Sequence, residues 1–323
     1  MTRASAVYPA DRVTLREVGL RDGLQMTRTY PSTPAKTEWM HRENRAGVDH
    51  FEVGSFLPAA SAPQFADVQD LIAVCQTLNA HSAALALNLR GAQNAVQTGL
   101  NEIVTVVSAT EEHSQANARR SRQDAIELVA QVAELARQSP AKPLVQTGIS
   151  MAFGCSLAGE VATDEVLRLA TKCVEAGADM IGLADTVGFA GPDQVERLVT
   201  CVGRELGDVT LSIHLHDTRG MGVANASAAL DAGVRVIDGS LGGLGGCPFA
   251  PGATGNVVFE DLVFLCERKG FQTGIDLEKL ILAREVVASE MPDEHLYGAL
   301  PRAGEPRQIN WRATQSTQQQ IGG

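Results

Sequence analysis

The chain is short of aromatic residues, has no closely spaced cysteine pair, carries no surplus of positive charge and contains no long apolar run. Phe, Trp and Tyr make up 4% of its 323 residues, while Ala and Gly are frequent, which suits helices packed closely on a sheet. The six cysteines (Cys75, Cys155, Cys173, Cys201, Cys247 and Cys266) are scattered with no CxxC spacing. In a chain of this length that pattern excludes a disulfide framework and points to free thiols in a reducing compartment, hence a cytoplasmic protein. A formal net charge of -11 argues against a nucleic-acid partner, because such binding needs a clustered basic face. No stretch approaches the length of a membrane span. The opening residues, "MTRASAVYPADR", lack the apolar core of a signal peptide.

What the sequence does contain is an alternation. Eight short β-branched or apolar runs ("RVTLREVGL", "HFEVGSF", "SAALALNL", "EIVTVVSA", "LVQTGISMAF", "MIGLADTV", "VTLSIHLHD" and "VRVIDGSL") are separated by segments of helical period. In "TDEVLRLATKCVEAG", Val166, Leu169, Ala170 and Cys173 repeat at three- and four-residue spacing, the stripe of a helix lying on a sheet. Gly in "EAGAD" and "DAGVR" marks helix ends. Eight such units predict an α/β fold, a (β/α)8 TIM barrel with extra C-terminal helices. A doubly wound open sheet is the alternative, but "RDGLQ" stands where its glycine fingerprint would follow the first strand. The expected organisation is an N-terminal extension over 1–11, a single catalytic barrel with a helical extension over 12–300, and a flexible polar tail over 301–323.

Active sites of such barrels lie at the C-terminal ends of the strands. There the chain places Arg21-Asp22 at the end of strand one, Glu52 and Ser55 on strand two, Asp185 on strand six and His214 and His216 on strand seven. Cys247 and Asn256 follow strand eight. Residues two apart on a strand share a face, so His214 and His216 both point inward and Ile213 and Leu215 outward. Two inward histidines among acids favour a metal site over histidines that merely cap a loop. Carboxylate and amide oxygens suit Mg²⁺ or Mn²⁺, with zinc left open. The glycine-rich loop from Gly242 to Gly255 is built to lie close to a ligand. Cys247 within it is either a lid thiol able to move a proton or an inert cysteine. Cys155, after strand five, is a weaker candidate for the substrate's surroundings. The other four cysteines fall on helical stripes.

"EVGLRDGLQ", "LHDTRG" and "GGLGGCPFAPGATGNVVFEDLV" together resemble the 3-hydroxy-3-methylglutaryl-CoA lyase family, a branch of the metal-dependent lyases and synthases on a (β/α)8 barrel. The resemblance runs from about residue 12 to about residue 290. The first two pieces are shared with relatives that condense acetyl-CoA with 2-oxo acids. The cysteine loop is more specific, because the condensing relatives have a different glycine loop there, and it points to the lyases. The resemblance implies that Asp22, His214, His216 and Asn256 hold the divalent cation, that Arg21 stabilises an enolate, and that Cys247 is the catalytic lid thiol. It gives Glu52 and Asp185 supporting or proton-transfer roles and makes Asp22 a candidate base. It also implies a CoA-thioester substrate, a homodimer and a place in leucine degradation. The sequence departs from the family at Leu20, at Met26-Thr27, and in "GCSLAG", "LADTVG" and "ALNLRG". The presumed catalytic positions are intact while their surroundings differ, so the acyl group stays open between 3-hydroxy-3-methylglutaryl-CoA, a citramalyl-CoA-like ester and a longer 3-alkyl analogue. A condensing synthase and a non-catalytic CoA-ester-binding barrel are the competing readings.

Overall fold

Each of the eight β-branched runs becomes a strand, and each strand but the last is followed by one or two helices before the next. The computed structural model describes residues 2–246 and 255–306. After a short α1 (Arg3–Val7), the order is β1 (Thr14–Glu17), α2 (Thr33–Ala46), β2 (His50–Ser55), α3 (Val68–Leu78), β3 (His81–Leu85), α4 (Leu89–Ala95) and β4 (Glu102–Ser108). Next come α5 (Glu111–Ala118), α6 (Arg122–Gln138), β5 (Leu144–Ser150), α7 (Thr163–Glu175), β6 (Met180–Asp185), α8 (Pro192–Leu206), β7 (Thr210–Leu215), α9 (Gly222–Asp231) and β8 (Val236–Gly239). The chain then adds α10 (Phe259–Arg268), α11 (Leu277–Glu290) and α12 (Leu300–Ala303). The strands are all parallel, pair in sequence order and close with β1 beside β8. This is the expected (β/α)8 barrel with C-terminal helices.

Alternation along the strands builds two cores. Ile103, Val107, Ile149, Ile181, Leu183, Ile213, Leu215 and Ile237 are buried in the layer between sheet and helices. The helix stripe Val166, Leu169, Ala170 and Cys173 supplies its share from α7. The inward positions are different. On that side Ala83, Leu85 and Val104, with Leu87 and Val106, form one apolar group, and Leu144, Met180 and Val236 form another at the floor. The rest of the barrel interior is polar, and Arg16, Glu102, Gln146, Ser212 and Asp238 are all buried.

The N-terminal extension is not a free arm. Ala4 and Tyr8 pack with Leu144, Met180 and Val236 at the N-terminal ends of the strands. The Tyr8 hydroxyl donates to Glu102 at 2.7 Å, and Arg3 pairs with Asp179 at 3.1 Å. Residues 3–8 thus stopper the barrel floor and leave its upper end as the entrance. Beyond the barrel, α11 packs on α2, with Arg42 reaching the Leu282 carbonyl and Glu285. No helix among the described residues is long and apolar enough to cross a membrane.

Candidate active site

The first strand was expected to run to Leu20 and to end in Arg21-Asp22. It stops at Glu17 instead, and Gly19–Gly23 winds into a wide π-type turn. The amides of Arg21, Asp22 and Gly23 all converge on the Val18 carbonyl, at 3.1, 2.7 and 3.2 Å. The reason is geometric. In an extended strand two adjacent residues point to opposite faces, whereas the turn swings Arg21 and Asp22 both toward the barrel mouth. Gly19 permits it, since a Cβ there would lie 2.4 Å from the Glu17 carboxylate and 2.8 Å from Trp39.

Opposite this turn, His214 is the penultimate residue of β7 and His216 lies one residue past its end. His216 forms a single bridge with Asn256. The bonds from Asp217 N to the Gly255 carbonyl and from Val257 N to the Leu215 carbonyl flank that bridge, at 3.0 Å each. The result is a cluster in which one donor atom each from Asp22, His214 and His216 lies within 4.8 Å of the others. His214 Nε2 and His216 Nε2 are 3.1 Å apart. Asp22 Oδ2 sits 3.8 Å from the first and 3.5 Å from the second. The Asn256 amide nitrogen donates to Asp22 Oδ2 at 2.9 Å and to the Leu244 carbonyl at 3.0 Å. Its Oδ1 is buried with no hydrogen-bond partner.

These residues fit a divalent cation. Two imidazoles and a carboxylate bring one ligand atom each within 4.8 Å of one another, and the Asn256 side chain, whose oxygen has no partner, is bonded to that carboxylate through its nitrogen. Leaving that oxygen bare would cost on the order of 1–3 kcal/mol. Burial would raise the Asp22 carboxyl, but Arg21 and the two histidines hold it well below its ordinary value, so it is ionised. His214 has the outer partner that ligating histidines commonly use: its Nδ1 lies 3.2 Å from Asp238 Oδ2. Burial pulls His214 down, but Asp238 and Asp22 outweigh it and the net shift is upward. Asp238 is itself pinned by Arg16 at 2.7 Å. Burial opposes its charge, yet Arg16 and His214 bring its pKa down to about 2.

The remaining expected residues divide. Arg21 bridges Asp22 at 2.6 Å and Glu52 at 2.7 Å, and all three line one cavity of about 160 Å³ with both histidines. Burial raises Glu52, partly offset by Arg21. Asp185 does not line this cavity. Its carboxylate accepts the amides of Phe189 and Ala190 at 2.8 and 3.0 Å, shaping the loop after β6. Cys155 is also turned away, its sulfur accepting from Thr110 Oγ1 at 3.1 Å. Cys247 lies outside the described residues; Gly246, just before it, lines the cavity. Asp238, Arg16 and Gln146 also line this cavity. The signal for them in the sequence is a charged or amide side chain inside an apolar strand, "VIDG", "TLRE" and "LVQTGIS", at positions whose alternation points them inward.

The matches to known proteins agree with this geometry. Residues 12–287 match the HMGL-like family model. A Bacillus subtilis hydroxymethylglutaryl-CoA lyase is 35% identical over 88% of this chain and 94% of its own length. A Chloroflexus aurantiacus (R)-citramalyl-CoA lyase is 36% identical over 87% of this chain and 92% of its own. The solved HMG-CoA lyase of Acinetobacter baumannii, in complex with coenzyme A and 3-methylmalate, superposes with a TM-score of 0.84 at 34% identity, covering 94% of this chain and 98% of that one. The chain therefore belongs to the HMGL-like family, as one of its carbon–carbon lyases.

Proposed function

We propose that the protein cleaves 3-hydroxy-3-methylglutaryl-CoA, or a close analogue, to acetyl-CoA and a keto acid by a retro-Claisen reaction. The cation would be Mg²⁺ or Mn²⁺, held by Asp22, His214, His216 and Asn256. The observation that carries this reading is the convergence of Asp22, His214 and His216 on one point beside Arg21. When bound, the cation supplies Lewis acidity toward the oxygens of a chelating hydroxy acid.

The chain's own residues do the rest. Asp238 fixes the His214 ring by accepting at Nδ1 and leaves Nε2 facing the site. Arg21 is held between two carboxylates, so its guanidinium is oriented before substrate arrives. A fixed cation there stabilises the enolate oxygen as charge develops on it. Glu52 holds Arg21 from the other side. The Cys247 thiol is assigned the protonation of the enolate carbon. Asp185 is assigned a supporting role through the loop it binds. The protein would work in the cytoplasm as a homodimer, and with the methyl substrate it would serve leucine degradation. The citramalyl-CoA lyase relative supports a second, shorter acid as substrate.

Incubating the protein with each thioester and Mn²⁺ and scoring acetyl-CoA tests the reading. His214→Ala should abolish cleavage with circular dichroism unchanged. Wild-type turnover in that variant would sink the ligand assignment. Release of free CoA from acetyl-CoA and a 2-oxo acid would instead indicate a synthase.

A further inference from the structure

We infer that the substrate carries an aliphatic group longer than methyl on its hydroxyl-bearing carbon, seated in a hollow beside Gly148. This deepens the 3-hydroxyacyl-CoA reading above and rests on it. Gly148 on β5 is the register partner of Val106 on β4 and of Gly182 on β6. Val106, Gly148, Gly182 and Ala184 all line the cavity that contains the Asp22–His214–His216 cluster. Four neighbouring wall positions thus present one valine, one alanine and two glycines, where barrel interiors are ordinarily filled by bulky branched side chains.

The two glycines have different reasons. A Cβ on Gly182 would lie 2.8 Å from Gln146 Nε2 and 3.0 Å from Ser212 Oγ, so that glycine makes room for the polar layer beneath. A Cβ on Gly148 would meet only the Thr105 carbonyl, at 3.7 Å. Gly148 is not among the residues with positive φ either. Neither a neighbour nor the backbone demands its missing side chain, and the space opens into the site.

Toward β3 and β4 that space is apolar, while Gln146, Ser150 and Thr186 line the cavity along β5 and beyond β6. Leu85, Leu87 and Val104 continue the wall from Val106 across β3 and β4. Arg16, which also lines the cavity, is already engaged by Asp238 and Glu102 at 2.7 and 2.8 Å. A carbinol carbon has four arms. The hydroxyl and carboxylate arms turn to the cation cluster, and the thioester arm leads to the open mouth, since coenzyme A cannot pass the stoppered floor. The fourth arm is left to face β4–β6, where a charged group would be unpaired and an alkyl chain is buried. The reaction balances without a co-reactant. The hydroxyl proton leaves and the C2–C3 bond breaks. Its electron pair passes to the thioester enolate, which takes up a proton to give acetyl-CoA. The other product is a 3-oxo acid bearing the alkyl group.

The test is a 3-hydroxy-3-alkylglutaryl-CoA series with methyl, ethyl and propyl substituents, assayed with Mn²⁺ for kcat/KM. Burial of each methylene predicts a rise of about fourfold per step, roughly 15-fold from methyl to propyl. Gly148→Val and, from the neighbouring strand, Val106→Phe should each invert that order. Efficient cleavage of the methyl ester with a falling order in the wild type would overturn the inference alone. So would a propyl-to-methyl ratio unmoved in both variants. Failure of every ester in the series would overturn the underlying substrate reading together with it.

Discussion

Asp238 is the buried partner of His214 in the candidate metal cluster, and Asp238→Asn perturbs that cluster without touching its ligand atoms. The carboxylate is fully buried and touches two partners, Arg16 at 2.7 Å and His214 Nδ1 at 3.2 Å. Its pKa of about 2, against an ordinary value near 3.9, means its surroundings favour the ionised form by roughly 2–3 kcal/mol despite burial. Arg16 and His214 both hold it there. An asparagine keeps the shape but removes the charge, so His214 loses its fixed tautomer and part of its basicity. Loss of such an outer partner typically weakens metal affinity 10- to 100-fold, or ~1.4–2.7 kcal/mol. Arg16 keeps Glu102 at 2.8 Å, so the fold should survive with a modest fall in Tm. Mn²⁺ binding, followed by electron paramagnetic resonance on variant and wild type at equal foldedness by circular dichroism, reads the effect. An unchanged Mn²⁺ affinity in a folded variant would show that His214 is oriented by something else.

Three further outcomes follow from the same structure. Arg21→Gln removes the fixed cation and should lower kcat by about 10²- to 10³-fold; a loss under tenfold would remove Arg21 from enolate stabilisation. Cys247→Ser should depress kcat far more than it raises KM, and equal loss in both would indicate a structural cysteine. Glu17 and Glu43 are buried carboxyls near Glu260. Burial pushes Glu17 up to about 8, against the pull of the Gly19 and Leu241 amides, and Glu43 is raised as well, by burial and by Glu17. A raised carboxyl stabilises the fold fully below its unfolded value, and that contribution is lost as pH climbs through about 8. Glu43→Gln should therefore gain Tm relative to wild type as pH rises from 5 to 9, and a pH-independent difference would refute the raised carboxyls.

Much of the molecule was legible because it is local or periodic. Eight β-branched runs separated by helical stripes prescribe the barrel, and two-residue alternation turned His214 and His216 to one side. Residues near the mouth could be collected from strand ends alone, but not ranked. Asp185 occupies a strand end just as His214 does, yet its carboxylate serves the amides of its own loop. Asp238 has the opposite history. It sits mid-strand in "VIDG" and becomes the partner of a ligand candidate two dozen residues earlier.

Strand count, sidedness and the chemical types of the site residues were thus set by the sequence itself, since they depend on periodicity and side-chain identity. Tertiary structure decided which of those side chains meet. It also decided that Arg21 and Asp22 share a face through a π-type turn, that the N-terminal segment closes the floor, and that Gly148 leaves a hollow. The floor and the hollow depend on contacts between elements far apart in the chain, and the turn, closed on the Val18 carbonyl, fits because Gly19 passes close to Trp39 and Ser240; pairwise distances across a closed barrel are not encoded in any one stretch of it.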